Sequence, residues 1–171
     1  MPQHIRCPPT NPSCSCENNI AGLLRYQGKL AEAEPHQRRA LQISEIVSGD
    51  SSKTATYLGN LAQLLQTQAR HAEAEPLLVR ALKITSSRTS KALLKKAKNG
   101  KKGNSAAVDD PESATLLNSL ASLYVDMGRP NDALPLYQRA LAVVQTTLSP
   151  QDPEVAVYLA NLAGGWLLAL V

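Results

Sequence analysis

Apolar positions recur at helical spacing over most of the chain. Between residues 53 and 68, Leu58, Leu61, Ala62 and Leu65 lie three or four apart, which places them on one face of a helix. Between 72 and 85, Ala74, Leu77, Leu78, Ala81, Leu82 and Ile84 form a second such face. The pattern breaks around Ala69, Arg70 and His71, so the segment reads as helix A, a tight turn and helix B.

This hairpin is repeated. Asn19-Ile20-Ala21 to Arg39-Ala40-Leu41, Asn60-Leu61-Ala62 to Arg80-Ala81-Leu82 and Ser119-Leu120-Ala121 to Arg139-Ala140-Leu141 align without gaps, and Asn161-Leu162-Ala163 opens a fourth copy. The alanines Ala21, Ala62, Ala121 and Ala163 are 41, 59 and 42 residues apart, and Pro35, Pro76 and Pro135 are 41 and 59 apart. The period is therefore 41 to 42, with 18 extra residues in one interval. Gly28 and Gly128 occupy the turn position of Ala69, where glycine takes a left-handed conformation at no steric cost. The three prolines are expected within about the first turn of helix B, where an N–H has no intrahelical partner. Asp110-Pro111-Glu112 and Asp152-Pro153-Glu154 each supply an acidic N-cap, a proline at the first helical position and an acid in the first turn. Ala21, Ala62, Ala121 and Ala163 on helix A, with Ala33, Ala74, Ala133, Ala40, Ala81 and Ala140 on helix B, let neighbouring helices approach closely. Leu24, Leu65, Tyr124 and Trp166 share one larger site. No single hairpin buries its apolar face, but a stack of them does.

Composition agrees. The 171 residues include 26 Leu, 23 Ala and no Phe, which suits helices and leaves a β-sandwich without its β-branched and aromatic core. The fold class is all-α, an α-solenoid of antiparallel helical hairpins. It divides into a Pro- and Cys-containing leader (1–15), repeats 1 and 2 (16–84), a basic low-complexity insertion (85–108), repeat 3 (109–148) and a partial repeat 4 with helix A only (149–171).

The motifs Leu58-Gly59-Asn60-Leu61-Ala62, Glu73-Ala74-Glu75-Pro76-Leu77, Arg80-Ala81-Leu82-Lys83-Ile84, Glu32-Ala33-Glu34-Pro35, Gly128-Arg129 and Ala133-Leu134-Pro135-Leu136-Tyr137 resemble the tetratricopeptide repeat. The period matches the long version found in kinesin light chains better than the usual length of about 34 residues. Departures are Glu17 where a large apolar residue is expected, His36 and Gln37 in place of apolar or aromatic residues, and Asp152 where His often precedes Pro. The heptad coiled coil of kinesin light chains is missing from the sequence, so the resemblance concerns the repeats and not a whole light chain.

The resemblance implies a cytoplasmic protein-interaction scaffold or adaptor. Helix A would line a concave surface along which an extended partner peptide lies, with the kinesin heavy chain or a cargo protein as the partners the family suggests. The matching positions are Asn18, Asn19, Arg25, Asn60, Gln63, Gln66, Asn118, Ser119, Ser122 and Asn161, and the same surface carries Gly59, Tyr26, Thr67 and Asp126. Each amide side chain offers donors and an acceptor, which suits a peptide backbone. The other reading of the Asn residues is that they tie adjacent helices together. Arg39, Arg80 and Arg139 read as structural, at the outer edge of helix B.

The net charge of +4 is local. The insertion carries Arg88, Lys91, Lys95, Lys96, Lys98, Lys101 and Lys102 and no acid, whereas the rest of the chain has 11 basic and 14 acidic residues. The insertion reads as a solvated loop with a short basic helix over 91–98. The alternative is an electrostatic patch for nucleic acid or an acidic membrane, with Lys95-Lys96-Ala97-Lys98 a weak nuclear-import pattern; a further alternative is an accessory fragment of a larger signalling protein or enzyme. The absence of aromatics from the insertion argues against base stacking.

His4, Cys7, Cys14 and Cys16 do not have a standard zinc spacing, so the leader reads as reduced and no metal is assigned. Residues 155–171 carry no charge, and the repeat register reads them as an unpaired helix A open to self-association rather than a membrane anchor. There is no phosphate-binding glycine loop, His-Glu-x-x-His pair or nucleophile elbow, so no cofactor and no enzymatic activity are expected. Glu32, Glu34, Glu73 and Glu75 read as solvated first-turn acids.

Overall fold

The computed structural model of the chain describes residues 13–98, 111–149 and 151–169. In chain order the described residues form α1 (Cys14–Tyr26), α2 (Leu30–Ser48), α3 (Ser52–Thr67), α4 (His71–Lys98), α5 (Pro111–Asp126), α6 (Pro130–Thr147) and α7 (Pro153–Ala169). The pairs α1/α2, α3/α4 and α5/α6 are the three hairpins, and α7 is the helix A of the fourth unit.

Local chemistry sets the helix ends. Ser13, Ser51 and Asp152 accept backbone N–H groups of Cys16, Thr54 and Glu154 at 3.3, 3.3 and 3.0 Å. The helices α1, α3 and α5 each end in the same left-handed turn. The Lys29, Arg70 and Arg129 amides donate to the Leu24, Leu65 and Tyr124 carbonyls at 2.9, 2.9 and 2.8 Å. Gly28 and Gly128 sit at φ 76° and 72°, and Ala69 takes the same conformation at φ 59°. Pro35, Pro76 and Pro135 are each the sixth helical residue, later than expected, because helix B starts directly after this turn. They lie inside continuous helices, where a proline forfeits one i to i−4 hydrogen bond.

Packing follows the repeat. Leu58, Leu61, Leu64, Leu65, Leu78, Leu117 and Leu123 are fully buried, as are the helix B alanines Ala33, Ala40, Ala74, Ala81, Ala133 and Ala140. The central cluster joins α3, α4 and α5. Gly165 is buried, and a Cβ there would come within 3.2 Å of the Tyr137 ring, so α7 seats closely on α6. The other face of α7 is open. Leu58 and Leu117 are buried, yet the equivalent Leu159 is 48% exposed, and Trp166, Leu167 and Leu168 are 48%, 69% and 51% exposed. Ala163 is likewise exposed, unlike Ala62 and Ala121.

Two expectations are corrected. Residues 85–90 do not form a loop: they join the short helix expected over 91–98 to α4, with Thr85 buried and Arg88 reaching Glu112 at 3.3 Å. Glu34 is not a solvated acid: its side chain is 18% exposed and bonds Arg38 at 2.8 Å and Arg70 at 2.6 Å, and Glu73 closes the cluster with Arg70 at 2.7 Å. One repeat later Glu75 faces Arg129 at 3.7 Å and accepts from the Tyr124 hydroxyl at 3.1 Å. Of the amino-terminal cysteines, Cys14 is a free thiol at the start of α1. The remainder of the leader, including His4 and Cys7, lies outside the described residues.

The sequence departures prove complementary. Glu17 is buried and contacts His36 Nδ1 at 2.7 Å and Arg39 at 3.6 Å, while Gln37 turns inward toward Asn18. A polar position on α1 is thus matched by polar positions on α2. Arg39 and Arg80 pair with acids as expected, Arg80 with Glu45 and Asp50.

Candidate functional site

The A helices α1, α3, α5 and α7 lie side by side, joined by polar side chains that project from one face. Asn60 Nδ2 donates to Asn18 Oδ1 at 2.9 Å, and Asn161 Nδ2 donates to Asn118 Oδ1 at 2.9 Å. Arg25 donates to Gln63 Oε1 at 2.7 Å. Gln66 Nε2 donates to Ser122 Oγ at 3.2 Å and to Asp126 Oδ2 at 2.5 Å. The predicted surface residues are therefore brought together, and the asparagine pairs do tie adjacent helices. Asn19 is exposed and stands outside these bonds, and Ser119 turns back to the Thr115 carbonyl at 2.9 Å.

Groups of fixed polarity orient the amides. Arginine only donates, so Gln63 turns its oxygen to Arg25 and its NH2 away. A backbone carbonyl only accepts, so Gln37, which meets the Tyr57 carbonyl at 3.5 Å and Asn18 Oδ1 at 3.1 Å, presents its nitrogen to both. Asn18 then supplies oxygen and Asn60 supplies nitrogen, which leaves Asn60 Oδ1 as an acceptor. Among the described residues, the surface thus carries an uncommitted donor at Gln63 and an uncommitted acceptor at Asn60, one turn apart on α3.

Between repeats 2 and 3 the asparagine pairing is interrupted. The two positions that would pair are Gly59 and Ser119. A cavity of about 260 Å³ opens there, floored by Ala55, Gly59 and Leu116 and rimmed by Thr56, Asn60 and Gln63. A Cβ on Gly59 would meet Leu116 Cδ2 at 2.9 Å, so glycine lets the helices close at the floor. A smaller cavity of about 110 Å³ adjoins Asn18, Arg25 and Asn60, and another of about 340 Å³ adjoins Gln63, Gln66 and Asp126. Shared residues make these three a single groove across repeats 1 to 3.

The sequence pointed to this face but not to its floor. Thr56 and Thr115 sit six residues before the anchor alanines Ala62 and Ala121, and that register is the signal that locates them. Gln37 enters from helix B, so reading helix A alone missed it. Behind the groove, burial raises the Tyr137 phenol above its ordinary pKa, with a Ser122 hydrogen bond acting in the opposite sense.

The basic patch is less unified than expected. Arg88 serves the Glu112 ion pair, and Lys91, Lys95, Lys96 and Lys98 lie on α4, whereas Lys101 and Lys102 lie outside the described residues. Among the described residues, no group of three or more His, Cys, Asp or Glu is arranged to hold a metal ion, and no helix is long and apolar enough to cross a membrane.

Comparison with known proteins agrees with this architecture. The crystal structure of BtubC (BKLC) from P. vanneervenii superposes with a TM-score of 0.70 at 23% identity, over 91% of this chain and 56% of that one. The present chain thus spans just over half the length of that relative. A TPR-like protein from Chlorobium tepidum superposes with a TM-score of 0.58 at 17% identity, over 89% of this chain and 93% of that one. At these identities the likeness concerns the fold. No curated protein matches the chain. The family model for the tetratricopeptide repeat matches residues 14–87 and 112–164, the described hairpins and most of α7. The chain belongs to the tetratricopeptide repeat family.

Proposed function

We propose that the chain is a protein-interaction scaffold whose helix A face captures an extended segment of a partner protein. The observation that carries this reading is the groove at the junction of repeats 2 and 3. It combines an apolar floor for a side chain with an oriented donor and acceptor, Gln63 Nε2 and Asn60 Oδ1, matched to the C=O and N–H of a peptide. An adaptor role like that of kinesin light chains, in which the captured segment belongs to a motor subunit or cargo, rests on repeat length and motifs.

The test starts from peptides selected on the purified chain from a random display library. Ser119→Tyr places a ring over the cavity floor while leaving the buried leucines alone. Selected peptides are expected to lose tenfold or more in affinity to this variant, with its circular dichroism melt retained. Unchanged affinity would sink the proposal. Replacing Lys91, Lys95, Lys96, Lys98, Lys101 and Lys102 with Gln is expected to leave capture intact; loss of capture there would favour the electrostatic reading.

A further inference from the structure

The groove is electrically polar from end to end. Arg25, on α1, and Asp126, on α5, stand at its two extremes. Both are exposed, and each is bonded to a neutral amide, Arg25 to Gln63 and Asp126 to Gln66. Neither has an ion-pair partner among the described residues. By contrast, Arg38, Arg39, Arg70, Arg80, Arg88 and Arg129 each have an acid within 4 Å. The third charge that borders the groove, Glu112, is engaged by Ser52 and Arg88. The repeat register makes the asymmetry plain. Arg25 corresponds to Gln66 and Val125, and Asp126 corresponds to Tyr26 and Thr67, so each charge appears in only one repeat.

We infer that, within the groove reading above on which this rests, Arg25 and Asp126 select a peptide carrying opposite charges: an acidic residue over repeat 1 and a basic residue over repeat 3. Packed helices lie about 8–10 Å apart, so two steps from α1 to α5 span about 20 Å. At about 3.3 Å per residue, an extended chain covers that span in about six residues. By the repeat register, the cavity beside Gly59 lies about two helical turns toward the helix N-termini from the line that joins the two charges. Exposed charges with no competing ion pair keep their attraction for a ligand, and that attraction weakens with salt.

The experiment uses selected peptides rebuilt with charged residues six apart in four forms: opposite charges in either order, two Glu, two Lys, and neutral Gln at both places. The full chain is compared with Arg25→Glu and Asp126→Lys variants by fluorescence polarisation at low and high salt. Asp126→Lys keeps a bonded partner, because Gln66 turns its oxygen to the ammonium; Arg25→Glu draws the Gln63 NH2 away from the peptide, so the preference among the four forms, and not the absolute affinity, is the readout. The wild type is expected to bind an opposite-charge form about tenfold more tightly than either like-charge form at low salt. Arg25→Glu is expected to shift the preference to two Lys, and Asp126→Lys to two Glu. Binding of all forms alike, or a preference that neither variant changes, overturns the charge inference while leaving the groove. Failure of every form, the neutral one included, overturns the groove reading itself.

Discussion

Ala69 sits where the other two hairpins use glycine, with a left-handed backbone at φ 59°. An L-residue with a Cβ pays about 1–2 kcal/mol for that conformation, partly offset by the smaller entropy of its unfolded chain. Ala69→Gly is therefore expected to stabilise the protein by about 0.5–1 kcal/mol, read as a higher midpoint in urea denaturation. Glu34 is a second residue with a definite consequence. Burial disfavours its charge, but hydrogen bonds from Arg38 and Arg70 and their positive charges outweigh that and hold its pKa below 4.5. A lowered folded pKa gives stability that is complete above the unfolded value of 4.5 and is lost as pH falls through the folded value. Acid titration of unfolding should thus be shallower below pH 4.5 in Glu34→Gln than in wild type. At neutral pH the variant should be about 1–2 kcal/mol less stable, since it loses charge-assisted bonds to both arginines.

At the scale of elements, stability along the A helices depends on a few amide bonds laid over alanine contacts. Asn118→Ala removes the bond to Asn161 and should lower stability by about 1 kcal/mol. Its effect should concentrate in α7, visible as faster amide exchange in residues 153–169 than in α3. The hairpins, the turn glycines and the alanine contacts were legible in the sequence because they recur at a fixed period. The amide ladder was legible only as a row of Asn residues, because its bonds run diagonally, from the third position before one anchor alanine to the second position before the next. Glu17, His36 and Gln37 read as faults in the repeat for a related reason. Each conflicts with the pattern alone, and only the α1/α2 register shows that they answer one another. The join between α4 and the short helix expected over 91–98 was masked by composition: the lysines suggested a solvated loop around that helix, whereas the buried Thr85 and the Arg88–Glu112 pair anchor one continuous helix.

For the whole molecule, the array is a polar groove on one side and an apolar helix face at one end. Leu167 and Leu168 are exposed, and contiguous exposed apolar surface favours association. A Leu167→Ser/Leu168→Ser double variant should keep its thermal stability to within about 0.5 kcal/mol per site and sediment with less concentration dependence than wild type. Nuclear magnetic resonance of the labelled chain with a selected peptide reads occupancy of the groove residue by residue. The Gln63 and Asn60 side-chain amides and the backbone of residues 56–67 and 112–122 are expected to shift on titration, while helix B resonances outside these contacts stay in place. Shifts confined to residues 88–98, or to the B helices, would contradict capture in the groove.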